Sequence, residues 1–172
     1  MKKMKGFTLM EIMIVIALIM ILSVVGIGAF MQSTVKSRDT QRKSNLNQIG
    51  KAAEAFYTDV GHYPLSDDVN TDRLYCYDQG VDTVCPGTKL YNLIDSTMII
   101  YLDVPKDSDV SRKYVYESSS DGYSLYAALE NSQDRDLLLN GDGSVNQNPW
   151  GISCGSVQCN YKITETGLVK SI

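Results

Sequence analysis

An apolar run near the N-terminus constrains this chain more than any other feature of its 172 residues. Residues 12–30 contain no charged side chain, and one carboxylate, Glu11, lies immediately before them. About 20 apolar residues cross a bilayer as a helix, whereas the apolar core of a cleaved signal peptide has only about 7–15 residues. The run therefore predicts a retained membrane helix. A carboxylate within a membrane costs roughly 2.5–3.5 kcal/mol, so we expect Glu11 to have a function and a cationic partner.

The residues around Glu11 carry a family resemblance. A lysine-containing leader ends at Gly6 and is followed by Phe7-Thr8-Leu9-Met10-Glu11 and the apolar run. This segment resembles the class III signal of type IV pilins and type II secretion pseudopilins, and the strong resemblance covers residues 1–64. It implies that a prepilin peptidase cuts after Gly6 and methylates the new amine of Phe7. It also implies that Glu11 guides assembly by pairing with the Phe7 amine of a neighbouring subunit.

The same resemblance implies a structural function and a set of partners. The chain is expected to be a subunit of a type IV pilus-like filament, with a pseudopilin of a type II secretion system as the alternative. Expected partners are other copies of itself or related pilins, the prepilin peptidase and an inner-membrane assembly platform. The expected location is the inner membrane, as a single-pass protein with its head outside the cytoplasm, and then a cell-surface or periplasmic filament. Residues 61–64 (Gly-His-Tyr-Pro) and 103–107 (Asp-Val-Pro-Lys-Asp) resemble pseudopilin heads.

Another interpretation of the N-terminus remains open. A lysine-rich start, an apolar stretch and a folded domain are also typical of an ordinary signal anchor, and Gly26-Ile27-Gly28-Ala29 is a candidate for small-residue cleavage. The alternative from a different functional class is therefore a membrane-anchored extracytoplasmic binding domain. A filament subunit would appear in sheared surface fibres, whereas an anchored binding domain would stay in the membrane.

The helix is predicted to continue beyond the apolar run. Apolar residues recur there at the helical intervals of three, four and seven positions. They are Val35, Leu46, Ile49, Ala53, Phe56 and Val60. Gly61 and Pro64 then supply a stop signal. The apolar stripe is thin where Arg38, Asp39 and Arg42 intervene, so we expect that stretch to lie outside the globular core or against other subunits.

These signals predict four segments along the chain. A leader peptide occupies residues 1–6, and a transmembrane and assembly helix occupies residues 7–31. An amphipathic continuation of the helix occupies residues 32–60, and a globular extracytoplasmic head occupies residues 61–172.

The head is acidic and lacks a catalytic set. From Glu54 to the C-terminus there are eighteen acids and eight bases, whereas five basic residues and one acid lie between Lys36 and Lys51. An acidic head repels phosphates, so nucleic acid is not an expected partner. The one histidine, His62, has no nucleophile beside it in a recognisable motif, and no cofactor motif is present. The sequence therefore predicts a protein that is not an enzyme.

Four cysteines lie in the head and none in the apolar run. They are Cys76, Cys85, Cys154 and Cys159. Disulfides would place the head in an oxidising, extracytoplasmic compartment. A zinc site is the alternative, although the spacing lacks a C-x-x-C pair. Among the possible connectivities, Cys76–Cys85 and Cys154–Cys159 are preferred because they close the shortest loops.

Alternation of apolar and polar residues predicts a small sheet in the head. Residues 113–117 and 123–129 are typical of a hairpin, and residues 161–164 and 168–170 of further edge strands. One face of the hairpin is expected to pack on the helix. Its residues are Tyr123, Leu125, Ala127 and Leu129. Residues 65–95 are expected to form a loop with short elements, held by the first disulfide. The predicted fold is α+β, with a long N-terminal helix packed on a small antiparallel β-sheet, as in pilins.

An Asn/Asp/Gly-rich segment near the C-terminus resembles part of a calcium loop. Residues 140–146 place oxygen side chains at alternate positions, but Leu138 and Pro149 occupy the first and last ligand positions. Calcium candidates are Asp134, Asp136, Asn140 and Asp142. The favoured interpretation is a turn without a metal. No other cofactor is expected.

Overall fold

The computed structural model describes residues 6–66, 74–119 and 122–170, without the side chains at positions 25, 26, 28 and 29. The lysines of the predicted leader therefore lie outside the described residues. The helix α1 spans Leu9–Val60. Ten strands follow in chain order: β1 Tyr75–Asp78, β2 Val81–Val84, β3 Lys89–Ile94, β4 Thr97–Asp103, β5 Val115–Ser119, β6 Gly122–Ala127, β7 Ser153–Cys154, β8 Val157–Gln158, β9 Tyr161–Thr164 and β10 Gly167–Leu168.

The C-terminal end of α1 has the predicted position and a defined cap. Gly61 adopts a φ of 92°, and its amide donates a hydrogen bond to the carbonyl of Tyr57 at 2.8 Å. Glycine reaches this left-handed conformation without steric cost, and the bond satisfies one of the carbonyls that a helix end leaves unpaired. The prediction that Gly61 stops the helix is confirmed.

The chain divides into two compact units, Met1–Ser37 and Arg38–Ile172. The first contains the N-terminal half of α1, Leu9–Ser37. The second, which we call the head, contains the head half of α1, Arg38–Val60, and all ten strands.

Two four-stranded sheets form the framework of the head. The first has the order β2-β1-β3-β4, in which β1 and β3 are parallel and the other neighbours are antiparallel. The second has the order β10-β9-β6-β5 and is antiparallel throughout. The short strands β7 and β8 form a separate hairpin. The predicted α+β class is confirmed, and the second sheet contains the predicted 113–129 hairpin.

The first sheet corrects the expectation of a loop with short elements at residues 65–95. Strands β1 and β2 have four residues each and are joined by Gln79 and Gly80, whose φ angles are 49° and 88°. A two-residue turn with positive φ at both positions matches the twist of a hairpin. Asp78 and Asp82 lie within these short strands, so the period-two pattern of apolar residues is too weak to reveal them.

The core of the head lies between the head half of α1 and the strands. One buried cluster contains Leu46, Ile49, Ala53 and Phe56 of the helix. The same cluster contains Tyr123, Leu125 and Ala127 of β6 and Leu129, which follows that strand. Burial of each large apolar side chain stabilises the fold by about 1.5–3 kcal/mol. The prediction that this strand face packs on the helix is confirmed.

Both predicted disulfides are present. Cys76 in β1 pairs with Cys85, which follows β2, and their Cα atoms are 5.0 Å apart. Cys154 and Cys159 close the β7–β8 hairpin with Cα atoms 5.1 Å apart. Each disulfide therefore fastens a local hairpin in the head.

Candidate functional site

Thr8 and Glu11 form a reciprocal cap at the start of α1. The amide of Glu11 donates to the Thr8 hydroxyl at 3.2 Å, and the amide of Thr8 donates to Oε2 of Glu11 at 3.2 Å. The Thr8 hydroxyl also donates to the same Oε2 at 3.3 Å. This capping box satisfies two amides that would otherwise lack a helical partner. The helix consequently begins at Leu9, two residues after the predicted start at Phe7.

The carboxylate of Glu11 is held locally. Its two described hydrogen bonds are donated by the amide and the hydroxyl of Thr8, and both are accepted by Oε2. Within the described residues, no lysine or arginine forms an ion pair with it. The capping role therefore leaves Oε1 available for a further hydrogen bond or an external cation.

The peptide segment before the cap is accessible. Gly6 and Phe7 are exposed, and the Phe7 side chain is 83 % exposed. An added Cβ at Gly6 would meet no atom within 4 Å. An enzyme could therefore reach the Gly6–Phe7 peptide bond without displacing other described parts of the chain.

Between Leu9 and Met31, α1 presents an apolar surface in every direction. The described large apolar side chains of this stretch, together with Phe7, are between 46 % and 83 % exposed. The hydroxyls of Ser23 and Thr34 donate to carbonyls one turn earlier in the helix, at 2.8 and 3.0 Å. A helix that is apolar all round requires an apolar environment, and bonds of this kind satisfy hydroxyls there without water. Counted over the described residues alone, no helix is long and apolar enough to cross a membrane.

A charged cluster in the head overturns the expectation for the stretch with Arg38, Asp39 and Arg42. Asp39 and Arg42 are each only 1 % exposed. Arg42 holds Asp107 through two hydrogen bonds, from Nε at 2.6 Å and from a terminal nitrogen at 3.0 Å. Its other terminal nitrogen contacts Asp39 at 2.8 Å and Glu130 at 2.7 Å. The expectation that this stretch lies outside the core or against other subunits was therefore wrong.

Asp39 fastens the helix to the chain that follows β6. Its carboxylate accepts the amide of Asn131 at 2.7 Å and that of Glu130 at 2.9 Å, in addition to its bond from Arg42. Buried charges are tolerated only when they are paired and hydrogen-bonded, and this carboxylate meets both conditions. We refer to Arg38, Asp39, Arg42, Asp107 and Glu130 as the buried charge cluster.

Electrostatics within the cluster favour the charged forms. The hydrogen bond from Arg38, assisted by Arg42, lowers the pKa of Glu130 to about 2. Burial opposes ionisation of Asp107, but the hydrogen bonds from Arg42 outweigh it and lower the pKa of that carboxyl. Burial likewise opposes the charge on Arg42, whose pKa is nevertheless raised by its three carboxylate partners. The cluster is therefore a mutually stabilised set of ions within the head.

The calcium candidates form two separate arrangements. Asp134 and Asp136 both accept hydrogen bonds from the ammonium of Lys43, at 2.6 and 2.8 Å. Asp142 instead caps a turn by accepting the amide and hydroxyl of Ser144, at 2.9 and 2.6 Å. In the described part of the chain, no group of three or more acidic, histidine or cysteine side chains could hold a metal. The calcium hypothesis stays untested.

Two features were missed by sequence reasoning. The cap of α1 follows a Thr-x-x-Glu pattern, Thr8 to Glu11, which is a recognised capping-box spacing and could have been found. The partners of Arg42 could not have been found from the sequence, because Asp107 is 65 positions away from Arg42 and no local pattern connects the two residues. Patterns of periodicity and charge along the sequence do not encode such distant pairings.

Comparison with known proteins gives a family match at the N-terminus and a match to a curated relative. The family described as the prokaryotic N-terminal methylation motif matches residues 1–27. The type IV major pilin protein PilA of Myxococcus xanthus (strain DK1622) is 36 % identical over 59 residues, which are 34 % of this chain and 27 % of that pilin. The match thus spans about a quarter of the relative's length, and no solved structure matches the chain. The chain is therefore similar to the methylation motif at residues 1–27 and to a type IV major pilin over 59 residues.

Proposed function

We propose that this chain is a structural subunit of a type IV pilus-like filament. A prepilin peptidase cuts it between Gly6 and Phe7 and methylates the amine of Phe7, and an inner-membrane platform then assembles the product with other copies or related pilins. The observation that carries this proposal is the apolar surface of the N-terminal half of α1, which begins at one carboxylate, Glu11, with no described cationic partner.

The exposed apolar half of α1 supports assembly through helix packing. The described large apolar side chains between Leu9 and Met31 are at least 46 % exposed, on every side of the helix, and need a covering that the described chain does not supply. Before assembly, we propose that lipid supplies it, with the head outside the cytoplasm. The two disulfides support that location because disulfides persist in oxidising compartments. In a filament, the corresponding halves of neighbouring subunits supply the covering.

Glu11 gives this packing its register. Apolar association is non-directional, so helices held by it alone could slide along one another. Cleavage after Gly6 creates an amine on Phe7, and an unpaired charge in an apolar layer is costly. If that amine pairs with Glu11 of a neighbouring subunit, neither charge remains unpaired. This pairing is possible at only one relative position of the two helices along their axes. The attraction is stronger in a low dielectric than in water, although desolvation limits the net gain.

One observation favours a subunit of a type IV pilus over a pseudopilin of a type II secretion system. The relative that matches this chain carries the name of a type IV major pilin. Sheared surface fibres that contain the chain would support a pilus. Retention in the envelope, together with loss of protein secretion in a deletion strain, would support the pseudopilin alternative.

Processing is tested by the intact mass of the protein isolated from its host. The expected mass is that of a chain that begins at Phe7, has two disulfides and carries one added methyl group. A mass that begins at Met1, or at a position near Phe30, contradicts the proposal.

Assembly is tested by two substitutions at Glu11 and one at its capping partner. Glu11→Gln can still cap the helix but has no charge, whereas Thr8→Ala removes the hydroxyl cap and keeps the charge. We expect Glu11→Gln and Glu11→Ala to be cleaved normally and to give few fibres, and Thr8→Ala to assemble close to the wild-type level. Equal fibre yields for Glu11→Ala and the wild type, with no wild-type subunit present, contradict the register mechanism. Equal losses of fibre yield for Thr8→Ala and Glu11→Gln would show that Glu11 acts only as a helix cap.

A further inference from the structure

A groove opens on the head between two stretches of chain that connect strands. One wall comes from residues 84–89, around the connection from β2 to β3, and the other from residues 104–114, between β4 and β5. The buried residues Leu74 and Leu90 also line it, and the larger part of its exposed lining is apolar. Its volume is about 790 Å³. Sites for small ligands have volumes of about 300–1,000 Å³ and a mainly apolar lining with a few polar groups.

The groove concentrates the positive charge of an otherwise acidic head. Among the described residues that line it are four of the eight bases between Glu54 and the C-terminus, but one of the eighteen acids in that span. The four bases are Lys89, Lys106, Arg112 and Lys113. The groove therefore attracts an anion, whereas the rest of the head repels it.

The one acid in the lining is neutralised within the head. Asp107 accepts two hydrogen bonds from Arg42, at 2.6 and 3.0 Å. Arg112 is also engaged, because it contacts the Asp109 carboxylate at 3.3 Å and donates to the carbonyl of Ala128 at 3.0 Å. These contacts hold the second wall in place and leave the charge of Asp107 balanced.

Lys89 and Lys106 are available to a ligand from opposite walls. Both are exposed, and no carboxylate of the described residues forms an ion pair with either. Asp103 lies opposite Lys89 in the β3–β4 ladder and accepts a hydrogen bond from the Thr88 hydroxyl. A ligand that contacts both ammonium groups consequently needs at least two acidic groups.

Both walls are fixed by contacts within the head. The Cys76–Cys85 disulfide fastens the first wall, and the amide of Val104 donates to the carbonyl of Thr88 at 2.7 Å, which joins the two walls. The carbonyl of Ser111 in the second wall accepts the amide of Ser156 at 2.9 Å. A ligand that enters a preformed groove does not have to order its walls, and this lowers the cost of binding.

We propose that this groove binds a small organic polycarboxylate with an apolar body. The apolar lining, which includes Pro86 and Val104, covers the body, and Lys89 and Lys106 hold carboxylates at its two sides. A long polyanion is disfavoured, because a chain that extends beyond the groove meets the acidic remainder of the head. The described lining contains no residue of α1, so binding here is separate from assembly through that helix.

Trimesate, a benzene ring with three carboxylates, is a suitable probe. It is titrated into the full chain in a non-ionic detergent, and binding is followed through the amide NMR resonances of Lys89 and Val110, which both line the groove. The shifts should saturate, and trimesate should bind roughly tenfold more tightly than benzoate, which has one carboxylate and cannot contact both lysines. The neutral tris(hydroxymethyl)benzene should bind more weakly still.

Substitution of the two lysines tests the assigned contacts. Lys89→Gln combined with Lys106→Gln removes both charges and should weaken trimesate binding roughly tenfold, since each exposed ion pair contributes up to about 1 kcal/mol. Lys51→Gln is the matched control, because Lys51 is exposed and lies outside the groove, and it should bind trimesate like the wild type. If the double variant does not fold, the wild type still gives a test: a tenfold rise in salt should weaken trimesate binding several-fold and leave the neutral analogue unaffected.

Four results would overturn the proposal. They are the absence of saturable binding, an affinity for trimesate no higher than that for benzoate, an equal loss of affinity in Lys51→Gln and the double variant, and a trimesate affinity that does not depend on salt. Hexaglutamate is the comparison for a protein partner. Tighter binding of that peptide than of trimesate would also overturn the proposal, because it would assign the groove to an acidic protein segment.

Discussion

Glu11 and Asp39 are two carboxylates of one helix with different surroundings. Glu11 is exposed and makes its described hydrogen bonds with Thr8, three residues away. Asp39 is 1 % exposed and is satisfied by Arg42 and by the amides of Glu130 and Asn131, which lie across the head. Asp39 has its ion-pair and hydrogen-bond partners within the chain and therefore contributes to the fold. Glu11 lies beside an uncovered apolar surface and is therefore available to an external partner.

The apolar side chains of the two halves differ in the same way. Between Leu9 and Met31, the least exposed of the described large apolar side chains is Ile16, at 46 %. In the head half, Leu46 and Phe56 are fully buried. The head half is amphipathic and covers its apolar stripe with strands, whereas the stretch from Ile12 to Phe30 is apolar all round and has no charged face to turn outward. The change from an uncovered to a covered apolar surface therefore lies within one continuous helix.

The largest expected effect on the head follows removal of Asp39 or Arg42. Asp39→Ala removes one carboxylate partner of Arg42 and leaves the amides of Glu130 and Asn131 without their acceptor. Arg42→Ala leaves the buried carboxylates of Asp39 and Asp107 without their cationic partner. Breaking a buried ion pair from one side costs about 3–5 kcal/mol. Urea unfolding of the full chain in detergent, followed by the fluorescence of Trp150, measures the free energy of unfolding.

Arg135→Ala is the matched control for Arg42→Ala, because Arg135 is exposed. It should change the free energy of unfolding by less than about 0.5 kcal/mol. If Arg42→Ala is equally mild, the buried charge cluster does not hold the head together, and the contrast with Glu11 fails.

Removal of either disulfide is expected to have a somewhat smaller effect. The pairs Cys76–Cys85 and Cys154–Cys159 close loops with sequence separations of 9 and 5. Constraint of loops this short contributes about 2–3 kcal/mol each, with the longer loop contributing slightly more. Double substitution of each pair by alanine, followed by the same urea titration, measures both values. If removal of the Cys154–Cys159 disulfide lowers the free energy of unfolding more than removal of Cys76–Cys85, native packing rather than loop closure determines which disulfide contributes more.

The sequence was sufficient where local chemistry determines the outcome. The helix stop at Gly61, the hairpin at 113–129 and both disulfides follow from a cap, a period of two and short spacings, and all are present. The same is true of the apolar run, whose length and lack of charge are direct properties of the sequence.

The sequence was insufficient where residues distant along the chain meet. Arg38, Asp39 and Arg42 interrupt the apolar stripe, so a pattern based on hydrophobicity places them outside the core. Asp39 and Arg42 are buried because distant loops supply their partners: Asp107 is 65 positions from Arg42, and Glu130 is 91 positions from Asp39. The first sheet was missed for a related reason, since its short strands gain their apolar environment from tertiary contacts rather than from their own composition.

Acid should weaken the head through its charge cluster. The hydrogen bond from Arg38 is the largest cause that lowers the pKa of Glu130 from 4.5 to about 2. Because the folded pKa lies below the unfolded one, the unfolded state binds more protons between these values. The contribution of Glu130, of order 1–3 kcal/mol, is therefore fully present above about pH 5 and is lost as the pH falls toward 2. Urea unfolding between pH 7 and pH 2 measures this loss.

Glu130→Gln separates this effect from general acid unfolding. The variant should be less stable than the wild type at pH 7 and should show a shallower loss of stability between pH 5 and pH 2. An unchanged slope would show that other carboxyls, such as Asp107, carry the acid sensitivity of the cluster.

The smallest expected effect on the head follows Glu11→Ala. The substitution removes the two hydrogen bonds that Thr8 donates to Oε2, so the first turn of α1 should fray and its amides should exchange hydrogen faster. The described contacts of Glu11 extend no further than Thr8, so the free energy of unfolding of the head should change by less than about 0.5 kcal/mol. The urea titration used for Asp39→Ala measures this value, with Thr8→Ala as the control for lost capping. A head destabilised by more than about 1 kcal/mol would place Glu11 among the residues that maintain the fold. An unchanged head, combined with few fibres from the same variant, would separate the two carboxylates by function: Asp39 stabilises one subunit, and Glu11 joins subunits to each other.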